Sequence, residues 1–245
     1  MTRPTPDRRD FLRSALSVGA VASVGLSASE IVAWAAAAPI KLAHREGNML
    51  RASSPGVYEL ASKIPGISGI EVQTTRSNLW DRDTVLAYKR ESLRWNIRTV
   101  SMGGSLPASG TLLDPGPCEQ SLRKTIRAGE ILGVGVVLVP GFRETCPKMD
   151  DEASYGPVVP ESMVHNNEGI KGIEVLGAGI VQMHLKNNRE PLMEVPGLVD
   201  WSKAWPAIRK SGFDGWFAFE TPHASPEACI EETRKNVAWV MKNQA

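Results

Sequence analysis

"VDWSKAWPAIRKSGFDGWFAFET", residues 199–221, decides the fold. Its first half reads as a helix from Asp200 to Lys210. Gly212 to Gly215 break the pattern, and Gly215–Phe219 is an apolar strand that stops on Glu220. An ionised carboxylate directly after Trp-Phe-Ala-Phe is costly unless it is paired or bound to a metal. Just upstream, "IVQMHLKNN", residues 180–188, has the same form. Ile180–His184 is a buried strand, and the run then breaks into Lys186, Asn187 and Asn188. Strand, helix and strand follow one another, and chemistry-bearing side chains stand where each strand ends.

The same alternation extends to the front of the chain. Strands are predicted at Ile40–Ala43, Gly69–Gln73, Arg98–Met102 and Gly135–Val139. Helices are predicted at Ser54–Ile64, with Ser54 as cap, at Asp83–Trp95, with Asp83 as cap, at Cys118–Leu132, and from Pro226 to Lys242. Such alternation implies parallel strands joined by helical crossovers. The polar residues follow the strands: His44-Arg45-Glu46, Arg143-Glu144, His184-Leu185-Lys186 and Glu220. A β/α barrel builds its site on that carboxyl-terminal rim. A doubly wound open sheet is the alternative, but it needs a glycine-rich phosphate turn after the first strand, and "HREGNML", residues 44–50, is a poor version of one.

Residues 1–38 read as a leader: Arg8 and Arg9 precede Phe11-Leu12, and an Ala/Gly/Ser-rich apolar run ends in Ala35–Ala38. The paired arginines are those of the twin-arginine class, so the protein is expected to be exported, with the domain at 39–245. A membrane anchor is the alternative; Glu30 interrupts the run, which falls short of the ~20 residues a span needs. With 28 Lys+Arg against 27 Asp+Glu and no basic stripe, nothing points to nucleic acid. Cys118, Cys146 and Cys229 have neither zinc nor redox spacing.

"GISGIEVQ", "GVVLVPGF", "IVQMHLKNN", "VDWSKAWPAIRKSGFDGWFAFET" and "EETRKNVAWV" together resemble the sugar phosphate isomerase/epimerase family, the xylose isomerase-like barrels. The resemblance covers residues 40–140 and 169–243. It implies a divalent metal (Mn, Mg or Zn) held by a glutamate, an aspartate, a histidine and a second glutamate on strands five to eight. It also implies proton abstraction next to the carbonyl of a sugar or polyol ketone. By the resemblance His184 and Glu220 match the metal ligands of strands seven and eight, Glu220 and Lys186 stand at the catalytic positions, and Asn187 replaces a common aspartate. His44 and Glu71 end the first two strands as substrate contacts or rim hydrogen bonds. Arg143 suits bidentate grip of a substrate or a surface pair with Glu144 or Asp150. His223 is a substrate contact or a solvent-facing residue.

Between Val139 and Gly179 a complete member would carry strands five and six with two ligand acids. Only about forty residues lie there, against roughly 250 for a whole barrel. The expected fold is therefore an α/β barrel of about six of the eight strands, with the join near Ser162–Asn167. Three functional readings follow: a weakened or dead isomerase, one repaired by His165, Glu168, Asp150, Asp151 or Glu152, or a non-catalytic carbohydrate-binding or structural remnant. Exposed strand edges flanking such a gap invite homo-oligomer formation.

Overall fold

The computed structural model describes residues 40–104, 115–139, 169–187, 190–197 and 199–244. The leader, Arg143, Cys146, the five candidate replacement ligands and the join lie outside the described residues.

Strand β1 (Lys41–Arg45) runs into a single turn, α1 (Glu46–Met49), and then α2 (Val57–Ser62). β2 (Ile67–Gln73), α3 (Arg82–Trp95), β3 (Arg98–Gly103), α4 (Pro115–Leu132) and β4 (Val137–Leu138) follow. The second part holds α5 (Gly169–Leu176), β5 (Gln182–Leu185), α6 (Trp201–Lys210), β6 (Trp216–Phe219) and α7 (Pro226–Asn243). Among the described residues no helix is long and apolar enough to cross a membrane.

Among the described strands all pairings are parallel, in the order β4-β3-β2-β1-β6-β5. Successive strands advance in one direction and the last adjoins the first. That winding leaves a helix-covered outer face and a concave inner one, as in a barrel and unlike a doubly wound sheet. Among the described strands β4 and β5 each pair on one side only, and the expected gap between them falls outside the described residues. Their position explains a difference from the sequence expectation. The apolar run Gly135–Val139 yields a strand of two residues, with Leu138 37% exposed, because no described strand covers its far side.

Most of the core lies between sheet and helices, where Leu42, Ile70, Val72, Leu185, Phe217 and Phe219 meet Tyr58, Tyr88, Trp205 and Ile208. The inner face has its own small cluster of Ala43, Val100 and Ala218 under Trp216. A register shift between Ile70 and Glu71 fits Val100 into this cluster and leaves Ser101 level with Glu71. Two caps differ from expectation. α3 is capped by Asp81, which accepts from Thr84 N–H at 2.9 Å, and α2 starts at Val57 with no side-chain cap. Asp81 wins because it is extended just outside the helix, as a capping residue must be.

Gly69 lies under the inner cluster; a Cβ there would come within 2.5 Å of Val100 Cγ1 and 2.8 Å of Trp216 Cζ3. Gly69→Ala is therefore expected to destabilise the fold by about 1–3 kcal/mol, as read by urea denaturation. An unchanged midpoint would show that Trp216 swings aside.

Candidate functional site

Parallel register sets the site. Arg45 pairs with Glu71. His44 and Leu185 both stand level with Phe219, so Arg45, Glu220 and Lys186 emerge at one height. Across four strands the charges alternate: Glu71, Arg45, Glu220, Lys186. Arg45 Nε is 3.1 Å from Glu71 Oε1, its second guanidinium arm binds Glu220 Oε1, and Lys186 Nζ donates to Glu220 Oε2 at 3.1 Å. Gln73, with its amide oxygen turned to the guanidinium, accepts from Arg45 at 2.9 and 3.2 Å.

His184, one side-chain step below this row on β5, reaches two carboxylates. Its Nε2 lies 2.9 Å from Glu71 Oε2 and its Nδ1 3.3 Å from Glu220 Oε2. Glu71 is fully buried and also accepts from Gln182 Nε2 at 2.7 Å and Ser101 Oγ at 3.0 Å. Burial alone would lower the imidazole's pKa, but hydrogen bonds to Glu220 and Glu71 outweigh it and raise the value to about 9. Burial would likewise raise the Glu220 carboxyl, yet His184, Arg45 and Lys186 pull it down to about 2. Glu71 is also held below the usual range, against its burial, by His184 and Arg45. At neutral pH the site carries three cations and two carboxylates.

His184, Glu220, Lys186 and Glu71 thus come together. His44 and His223 lie elsewhere: His44 shares the face of Leu42 and Phe219, toward α7, and meets His223 there with 3.1 Å between Nε2 atoms. Asn187 is buried in the loop after β5, where its Nδ2 donates to the carbonyls of Leu192, at 3.1 Å, and Val195. An aspartate could not make those bonds, which accounts for the amide at this position. Sequence reasoning missed Arg45, Gln182 and Ser101 as members of the site. The signal for Arg45 was present, since it ends β1 level with two acids once the register is known. It also missed Glu46, a buried carboxyl bound by Gln73 N–H at 2.9 Å, Ser77 Oγ at 2.7 Å and Tyr88 Oη at 2.5 Å.

The expected divalent metal does not fit the donors described here. Both ring nitrogens of His184 are taken by carboxylates, and both carboxylates are already matched by cations. Among the described residues, His184, Glu71 and Glu220 do not bring three ligand atoms within 4.8 Å of one another; His44, His223 and Cys229 do.

The fold is an α/β half-barrel with its polar residues on the carboxyl-terminal rim, matching an incomplete xylose isomerase-like barrel. Solved structures share this fold. A D-psicose 3-epimerase determined in the presence of D-fructose superposes with a TM-score of 0.66 at 11% identity, over 84% of this chain and 99% of that one. D-allulose 3-epimerase from Methylomonas sp., in complex with D-allulose, gives 0.63 at 13% identity, over 84% and 97%. A sugar phosphate isomerase/epimerase from Parabacteroides distasonis gives 0.58 at 13%, over 86% and 96%. In sequence, neither known protein families nor curated proteins match the chain.

The pKa shifts fix a pH window. His184 is raised, so its stabilising charge is complete below 6.5 and lost as pH climbs through about 9. Glu220 is lowered, so its contribution is complete above 4.5 and lost as pH falls through about 2. Stability is expected to be flat between these limits and to decline from pH 6.5 to 9, with the alkaline decline absent in His184→Gln. Denaturation midpoints across pH check this; parallel curves for the two proteins would show that His184 is neutral throughout.

Proposed function

We propose that the rim is a site for a sugar or polyol ketone and that the protein is of the isomerase/epimerase kind, exported under its leader. The observation that supports this best is the Glu71–His184–Glu220 bridge at the carboxyl ends of parallel strands, in a fold shared with sugar epimerases. Removing a proton beside a carbonyl places negative charge on oxygen. A rim with one excess positive charge, from Arg45, His184 and Lys186, opposes that charge where it develops. Glu220 is the proton-transfer carboxylate, with Lys186 beside it, and Glu71 holds the imidazolium in place.

The same electrostatics limit the rate. A carboxylate titrating at about 2 is a weak general base near neutral pH. It becomes a better one when a ligand's hydroxyl groups or anionic group engage Arg45 and draw it away. Slow turnover is the expectation. The second reading, a non-catalytic carbohydrate-binding remnant, is favoured by the saturation of both carboxylates by cations. His44 and His223, on the other face of the sheet, are assigned no substrate contact.

The purified chain is incubated with D-allulose or D-fructose in D₂O, with and without Mn²⁺, and deuterium beside the carbonyl is followed by NMR. Exchange is expected and should fall about 100-fold in Glu220→Gln. No exchange, with saturable quenching of tryptophan fluorescence, selects the binding reading. If neither is seen, the protein does not act on these sugars.

A further inference from the structure

The outer end of β1 gathers a second group of ligand-type side chains that the rim chemistry does not use. His44, on β1, is fully buried against α7. His223 follows β6 in the chain, and Cys229, also fully buried, lies in the first turns of α7. One ligand atom from each of the three falls within 4.8 Å of the others.

The hydrogen bonds fix the tautomers. His44 Nδ1 lies 3.1 Å from the carbonyl oxygen of Arg45, which only accepts, so Nδ1 carries the proton. His223 Nδ1 lies 2.6 Å from Glu232 Oε2, and an ionised carboxylate makes the same demand. Each neutral ring then has its lone pair on Nε2, and the two Nε2 atoms face each other at 3.1 Å. Thr221 Oγ1, 3.1 Å from His223 Nε2, has one proton to offer and can satisfy only one of the two. Two acceptors face to face are repulsive unless a cation or an extra proton lies between them. An extra proton there would be a charge shut away from water, since the His44 and His223 side chains are fully buried.

The geometry points to a metal site of the zinc type, made by His44 Nε2, His223 Nε2 and Cys229 Sγ, on the helix-facing side of β1. Tetrahedral zinc with Zn–N of about 2.0–2.1 Å spaces two imidazole nitrogens at about 3.3 Å, close to the separation found. A two-nitrogen, one-thiolate donor set suits zinc rather than magnesium or calcium. Metal-bound histidines usually anchor their second nitrogen to a carboxylate or carbonyl, which Glu232 and the Arg45 carbonyl provide. Cys229, whose thiol burial pushes up to about 11, would lose its proton on binding. Three protein ligands leave a fourth position open. A pocket of about 80 Å³, lined by residues 47–51 and 223–226, lies beside the cluster.

The full chain is dialysed against Co²⁺, and the thiolate-to-cobalt charge-transfer band and metal content are measured, with Zn²⁺ displacement as a second readout. One equivalent of cobalt with a thiolate band is expected, both retained in His184→Gln and in a Cys118→Ser/Cys146→Ser background. Cys229→Ser should abolish the band, and His223→Gln should weaken binding at least about tenfold; circular dichroism checks that each variant is folded. Retention of the band in folded Cys229→Ser, loss of binding in His184→Gln, or no bound metal in the parent would overturn the assignment. In the last case, an NMR titration showing an imidazolium at His223 would identify the cluster as a Glu232–His223–His44 proton chain instead.

Discussion

Charge alternation across four parallel strands is the constraint on which the rim depends. Parallel register puts the ends of β2, β1, β6 and β5 at one height, about 4.8 Å apart from strand to strand. Any two like charges side by side at that spacing repel, in a setting partly shielded from water. The order Glu71, Arg45, Glu220, Lys186 avoids every such pair. Within this row Arg45 carries most of the burden because it touches both acids, as His184 does from below, and Glu71 is fully buried. Removing either acid would leave a cation short of its partner, whereas removing Arg45 would leave the buried Glu71 with His184 as its cationic partner, beside the neutral donors Gln182 and Ser101.

One step along β1 separates two kinds of chemistry. Side chains alternate faces along a strand, so His44 points toward α7 and Arg45 into the concavity. The inner network is ionic and lies at the rim, with His184 20% exposed. The outer cluster is sealed, and burial keeps its imidazoles neutral. The same residue type is thus driven in opposite directions: two carboxylates raise His184, while burial, with another histidine beside it, lowers His44. Neither behaviour is a property of histidine, and both follow from which face of a strand the residue occupies.

That distinction marks the limit of what the sequence discloses. The strand–helix alternation, the parallel sheet and the barrel winding are legible because hydrophobic period and strand-end polarity are local. The pairing of His184 with Glu220 is legible for the same reason, as each ends an apolar run. The role of Arg45 is not, because it depends on register between β1, β2 and β6, far apart in sequence. The position of His44 at a strand end suggests the pocket, but which face a strand-end residue takes follows from its pairing partners, here Phe219 on the helix side. Asp81 rather than Asp83 caps α3 because cap choice follows backbone dihedrals, and two acids two residues apart look alike in sequence. The shortness of β4 follows from its lacking a described neighbour on one side, which the apolarity of its residues does not reveal.

β5 carries that edge effect into the site. Among the described strands it pairs with β6 alone, and Val181 just before it is 60% exposed. In a closed barrel, strands on both sides would orient an inward histidine. Here His184 is held by a hydrogen bond to Glu71 from across the concavity and by an ion pair with Glu220 beyond β6. Those bonds are strong only while the ring is an imidazolium, since a neutral ring can donate to just one of the two carboxylates. The proton on His184 therefore helps to hold the ring in position. A cation that claimed the Nε2 lone pair would take the proton's place and its bond to Glu71 together, so a metal could enter this rim only by replacing the interaction that now shapes it.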